Sequence, residues 1–182
     1  MSDVAGSEAS AVAARVRSAF ERVRIERMAG LPFVNEALQV ELVGLQRWRG
    51  LWLGVLVTPW FMNLMLLPGD GAAEGDEVPA RWPAIATGEY AQFAFPAGVL
   101  SFLAGREGDA GEYLACSLFS PMFEFADHAT ARQTAEACLL ALFDPDAAAA
   151  QAAAAQASPA PVSKRDFLSG RWHDAATTRS GQ

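Results

Sequence analysis

Val12, Val16, Ala19, Phe20, Val23 and Met28 recur at the three-and-four spacing that lines one face of a helix, while Arg15, Arg17, Glu21, Arg22 and Glu26 fall on the other. The pattern predicts an amphipathic helix from about Glu8 to Met28 with one face for a core. Ser7 and Ser10 offer N-cap hydroxyls without a capping box, and Gly30 and Pro32 stop the helix. At Leu38 the period changes to two. Leu38, Val40 and Leu42 alternate with Gln39 and Glu41, and Arg49-Gly50 predicts a tight turn into a second strand at Leu51.

From Leu51 to Pro68 no side chain is charged. A membrane-spanning helix needs about 20 apolar residues, so length alone does not exclude one. Gly54, Pro59 and Asn63 interrupt the run, however, and Val55, Leu56, Val57 and Thr58 favour extended chain. The economical reading is two short buried strands, Leu51 to Thr58 and Phe61 to Leu67, joined by a Pro59-Trp60 corner. Side chains this large and numerous form either core strands or a surface that grips something apolar.

Gly69 to Pro79 is acidic and glycine-rich and predicts a loop, closed by Trp82-Pro83. Extended segments resume at Glu89 to Phe95, Val99 to Gly105 and Glu112 to Phe119, with corners marked by Pro96, Gly98, Gly105, Gly108 and Gly111. Asp127 caps a second helix over Thr130 to Phe143, in which Ala131, Ala135, Cys138, Leu139 and Leu142 share a face. Asp144-Pro145 ends it. Asp146 to Val162 is nearly all Ala, Gln and Pro, too poor in apolar bulk to dock, and reads as a linker to a mobile tail. The expected architecture is α+β: an antiparallel sheet of about five or six strands flanked by an N-terminal and a C-terminal helix, with a disordered C-terminal tail. Residues 1–145 form one domain on this reading and residues 146–182 the linker and tail.

The 182 residues, 52% hydrophobic and 19% charged, supply one globular core. The N-terminal MSDVAGSEAS has no basic-then-apolar secretory pattern. After Pro145 four basic side chains, Lys164, Arg165, Arg171 and Arg179, outnumber Asp146, Asp166 and Asp174 by one, so of the total −7 the body carries −8. Such a body repels nucleic-acid phosphates and attracts basic peptides. Cys116 and Cys138 are far apart and belong to no CxxC or Cys/His cluster, which writes neither a zinc nor a rubredoxin-type iron site and suits reduced core thiols. The only histidines are His128, at a helix start, and His173, in the tail, and Glu112 and Glu124 have no spacing that demands a shared site. Neither nucleophilic nor acid–base catalysis is written in these residues.

Large side chains instead gather beside turn formers: Pro59-Trp60-Phe61-Met62, then Phe93 and Phe95-Pro96, then Phe119 to Phe125 around Pro121 and Met122. Phe and Met suit a surface that adapts to an apolar segment, and at least one of the three clusters is expected to form an exposed groove.

Through RMAGLPFVN, LGVLVTPWFMNLMLLPG, FPAG and CSLFSPMFEFADHATAR, roughly Arg27 to Pro145, the chain resembles the HybE (also HupJ or HoxT) chaperones of nickel-iron hydrogenase maturation. The resemblance implies a cytoplasmic, non-enzymatic factor without a cofactor, which associates with small or large hydrogenase subunit precursors before assembly and twin-arginine export. By motif it points to Trp60, Phe61, Met62, Asn63, Phe95, Pro96, Pro121, Phe123 and Phe125 as partner-binding positions. Some family members are linked to a rubredoxin, and here such iron would have to come in trans. In the tail, Ser163-Lys164-Arg165-Asp166-Phe167-Leu168 looks like the twin-arginine export motif, with Lys164 for the first Arg and Phe167-Leu168 as its apolar end. It stands either as an imitation of a hydrogenase signal peptide or as a chance basic stretch. A rival from another class is a small redox or iron-sulfur-cluster-handling protein using Cys116.

Overall fold

The computed structural model describes residues 2–69 and 81–146. The predicted loop at Gly69 to Pro79, the linker and tail, His173 and the twin-arginine-like motif lie outside these apart from Gly69 and Asp146. Helix α1 spans Ser2–Val23 and runs into a π-helical turn, Arg24–Met28. Six strands follow, β1 Glu41–Trp48, β2 Leu51–Val57, β3 Met62–Leu67, β4 Tyr90–Phe95, β5 Gly98–Glu107 and β6 Gly111–Phe119, and then α2, His128–Ala141. They form one antiparallel sheet in the order β1-β2-β3-β6-β5-β4. The α+β expectation holds.

The expected boundaries hold to within one or two residues for β2 to β6 and for α2. The first helix starts at Ser2 rather than Glu8: Ser10 lies inside it and its hydroxyl donates back to Gly6 O at 2.8 Å, so that side chain caps nothing. β1 begins at Glu41 rather than Leu38 because the Gln39 N–H is taken by His128 Nδ1, 3.2 Å away. Leu38 also sits in the core cluster on α2's side of the sheet, whereas Val40 and Leu42 sit on α1's side, so the alternation that linked the three does not survive.

Each face of the sheet has its own apolar layer. Val12, Val16, Ala19, Phe20 and Val23 of α1 pack with Leu42, Trp52, Leu56, Met65 and Leu67. Ala131, Ala135 and Leu139 of α2 pack with Val43, Leu53, Val55, Leu64, Leu66, Phe102 and Leu114. The uncharged run is therefore central strand buried on both faces, which is why it shows no period. No helix among the described residues is long and apolar enough to cross a membrane.

The two edges of the sheet meet. Trp48 of β1 stacks on Phe95 of β4 with ring centroids 4.3 Å apart, so the sheet curls toward α2, and Phe102 and Phe143 close around Phe95. A bulge in β1 makes room for the helix. Gly44 has φ +64°, and a Cβ there would lie 2.6 Å from Leu139 Cδ2, so only glycine seats both the bulge and the helix without adjustment.

Candidate functional site: an asparagine-tied loop junction

Three loops converge at the end of the sheet where β1 begins and β2 and β6 finish. The first is residues 29–40, the second the Thr58–Phe61 corner, the third residues 120–127. Asn35 joins them. Its backbone N–H donates to Pro59 O at 2.8 Å, and its side-chain amide donates to Met122 O at 3.0 Å and Phe125 O at 2.8 Å. Its Oδ1 accepts the Ala37 N–H at 3.1 Å, so all the hydrogen-bonding capacity a loop asparagine offers is directed into the junction. Thr58, fully buried, shapes the corner: its hydroxyl accepts from the Phe61 N–H and donates to Phe61 O, both at 2.9 Å. Ser120-Pro121 is a cis peptide, and Asp127 caps α2 by accepting the Thr130 N–H at 2.7 Å. That cap holds the Asp127 carboxyl below its ordinary range and charged.

The structure sorts the expected partner-binding residues into two kinds. Trp60, Met62, Phe95 and Phe125 are buried and can only support a surface. Phe61 and Asn63 are half-buried, Phe61 meeting Phe20 edge-on at 5.9 Å. Asn63 keeps its Oδ1 buried with no partner among the described residues, on the side of β3 that α1 covers. Pro96, Pro121 and Phe123 are exposed, Phe123 at 61%. The three clusters do not form one groove. Phe95-Pro96 sits at the far end of α2, where Leu142 O accepts the Ala97 N–H, whereas the junction sits at the helix start. A 14-residue helix separates them by ~20 Å.

Two exposed residues beside the junction were missed by the sequence reading of sites: Leu31 and Phe33. Phe33 stands two residues before Asn35, and Phe123 lies between the two residues whose carbonyls Asn35 binds. Leu31, Phe33, Pro121 and Phe123 are thus exposed apolar residues on loops that Asn35 ties together, and the same loops carry exposed Glu36, Glu124 and Asp127. The signal was the string RMAGLPFVN, whose Leu31 and Phe33 flank Pro32 between Gly30 and Asn35, large side chains beside turn formers like those of the other three clusters.

The candidate catalytic residues His128, Glu112 and Glu124 are not brought together. His128 Nδ1 accepts the Gln39 N–H, which fixes the tautomer with Nε2 protonated and donating to Glu41 Oε2 at 2.8 Å. Glu112 is held by Arg106 at 2.7 Å and Trp82 at 3.2 Å at the start of β6, while Glu124 lies past its other end. No group of three or more potential metal ligands occurs among the described residues. Burial pushes the thiols of both Cys116 and Cys138 up from their ordinary range, which disfavours the reactive thiolate at neutral pH.

The motifs that meet at the junction are those of a known maturation family, and comparison gives the same answer. Residues 11–170 match the family described as [NiFe]-hydrogenase assembly, chaperone, HybE, and the chain belongs to it. It is 41% identical over 145 residues to the hydrogenase expression/formation protein HupJ of Bradyrhizobium diazoefficiens, covering 79% of this chain and 78% of that one. It is 37% identical over 124 residues to the probable rubredoxin HupJ of Rhodobacter capsulatus, with 68% of this chain but 42% of that longer one covered. The solution structure of HybE from Escherichia coli shares the fold, with a TM-score of 0.57 at 24% identity over 72% of this chain and 76% of that one.

Proposed function

We propose that residues 1–145 are the chaperone domain and that it holds a hydrogenase precursor subunit through the apolar face of the Asn35 junction before assembly and twin-arginine export. The observation that carries this is Phe123, a large ring left open to solvent on a loop that Asn35 otherwise fixes at two carbonyls. Glu36, Glu124 and Asp127 on the same loops favour a client segment that is apolar and basic, the composition of a twin-arginine signal peptide. The client and the chaperone then meet in the cytoplasm. The Ser163–Leu168 sequence competes with that segment, so removing residues 160–182 raises affinity for a small-subunit precursor. Iron delivered with a rubredoxin partner stays outside this chain.

Co-purification of the full chain with small- and large-subunit precursors tests the site. Phe123→Asp and Phe33→Asp are expected to lower recovery of the client about tenfold or more while the circular dichroism spectrum and urea midpoint stay at the wild-type values. Undiminished recovery from both variants would remove the junction as the docking face.

The redox reading is separated by thiol labelling. With its thiol pushed up by burial, Cys116 should react with a maleimide at neutral pH about tenfold or more slowly in the native protein than in urea. Equal rates would revive the rival.

A further inference from the structure

β4 meets β1 only through side chains, Trp48 against Phe93 and Phe95 on the concave face, and its outward backbone edge is left unpaired and fits a second copy of itself. Ala104 N–H donates to Glu89 O at 2.8 Å, which sets the alternation: Ala91, Phe93 and Phe95 turn their backbone groups toward β5, and Tyr90, Gln92 and Ala94 turn theirs outward. Among the described residues none of those six outward N–H and C=O groups has a partner. Natural edges are usually blunted by charge, proline or a bulge. β4 has none of these: no residue from Tyr90 to Gly105 is charged, and its register with β5 is unbroken.

From this edge we infer that two copies of the chain pair antiparallel through β4, with Gln92 opposite Gln92 of the second copy. An antiparallel edge needs its outward residues opposite one another, and this register is the one that uses all three from each copy, giving six main-chain bonds. Side chains then match row by row. On the face away from α2, Tyr90 lies opposite Ala94 of the second copy, large against small. Tyr90 is already paired with Leu103, and Ala94 with Val99, so the row runs Leu103, Tyr90, Ala94, Val99 across four strands. These rows bury side chains that now stand open: Tyr90 is 68% exposed and Val99 64%. The middle row is polar, Ser101 and Gln92 facing the same pair reversed, with Gln92 Nε2 already 3.5 Å from Ser101 Oγ. On the other face Ala91 meets Phe93 of the second copy. From Tyr90 to Ala94 apolar meets apolar and polar meets polar, and only at the end of the strand does Phe95 fall opposite a charged residue, Glu89 of the second copy.

Six residues a side make a small interface, so the dimer forms at tens of micromolar and above, as a rough order of magnitude. Each copy carries −7, and their repulsion is long-ranged, so added salt favours the pair.

Sedimentation velocity of the full chain across a concentration series, at ~0.05 and ~0.5 M salt, tests the pairing. Wild type should shift from monomer to dimer with concentration, at lower concentration in high salt. Gln92→Pro removes the central outward donor from each copy without touching a β5 bond and should weaken the dimer about 30-fold. Gln92→Glu sets like charges side by side with the shape of the residue kept, and should weaken it in low salt more than in high. Circular dichroism checks that both variants fold. A wild type that stays monomeric throughout, whether because a client or another segment of the chain covers the edge, overturns the inference. So does a dimer indifferent to both folded variants.

Discussion

Phe95→Ala should destabilise the protein by ~3–5 kcal/mol, measured as a loss in urea unfolding free energy with the slope unchanged. Phe95 is 6% exposed and stacks on Trp48 at 4.3 Å while touching the rings of Phe102 and Phe143. Its truncation removes the transfer energy of a full ring and leaves a void where the two sheet edges meet, a place with no spare atoms to refill it. A domain with a typical stability of ~5–15 kcal/mol loses a large fraction of it. Phe123→Ala is the matched contrast: the same chemical change at an open site should alter stability by less than about 0.5 kcal/mol. The two phenylalanines belong to similar Phe-Pro-rich strings, and only burial tells them apart. A small effect at Phe95 would show that the edges do not depend on that stack.

The second large effect is expected at Asn35. Replacing it with alanine leaves Phe125 O without its side-chain donor and Met122 O with only the Phe125 N–H at 3.3 Å, and an unsatisfied carbonyl costs ~1–3 kcal/mol if water cannot reach it. Asn35→Asp has the same shape and should be worse at neutral pH, because a carboxylate oxygen replaces the donating amide against two carbonyl oxygens. The pH dependence separates the two variants. Near those carbonyls the acid form of the introduced carboxyl is favoured, so its folded pKa lies above its unfolded one. The folded state then binds the extra proton, and stability falls as pH rises through that folded pKa. The deficit of Asn35→Asp relative to wild type should therefore shrink on going from pH 8 to pH 5, while that of Asn35→Ala stays level. Parallel urea titrations at the two pH values read this directly, and a pH-independent gap between the variants would mean that the side chain is not bonded as the structure has it.

Much of the fold was legible because local chemistry decided it. The three-and-four spacing from Val12 to Met28 marks the face that α1 buries, and Asp127 is found capping α2 as its position before Thr130 suggests. Arg49-Gly50 turns the chain with φ +51° and +82°, the positive values that a two-residue hairpin requires. Long-range geometry was not legible. Nothing local says that Trp48 will meet Phe95, or that Gly44 marks a bulge over Leu139 rather than a position inside a regular strand. The candidate site was legible in outline only. Apolar residues beside turn formers were found, but Trp60, Met62 and Phe125 belong inside while Phe123, from the same strings, belongs outside. Period cannot make that separation in a loop, where no regular geometry assigns alternate side chains to alternate faces. Asn35 escaped for a related reason: an asparagine in a loop is ordinary until its acceptors, far along the chain, are known.

The position of α2 sets an order on biosynthesis. Six strands are complete when Phe119 has been added, yet the concave layer stays uncovered until Leu139 and Leu142 follow. A nascent chain emerging from the ribosome therefore exposes Leu53, Val55, Leu64 and Phe102 on a finished sheet for the time needed to make two dozen more residues, about a second or more at ordinary elongation rates. This assembly chaperone itself passes through an interval in which its own unfinished core needs shelter.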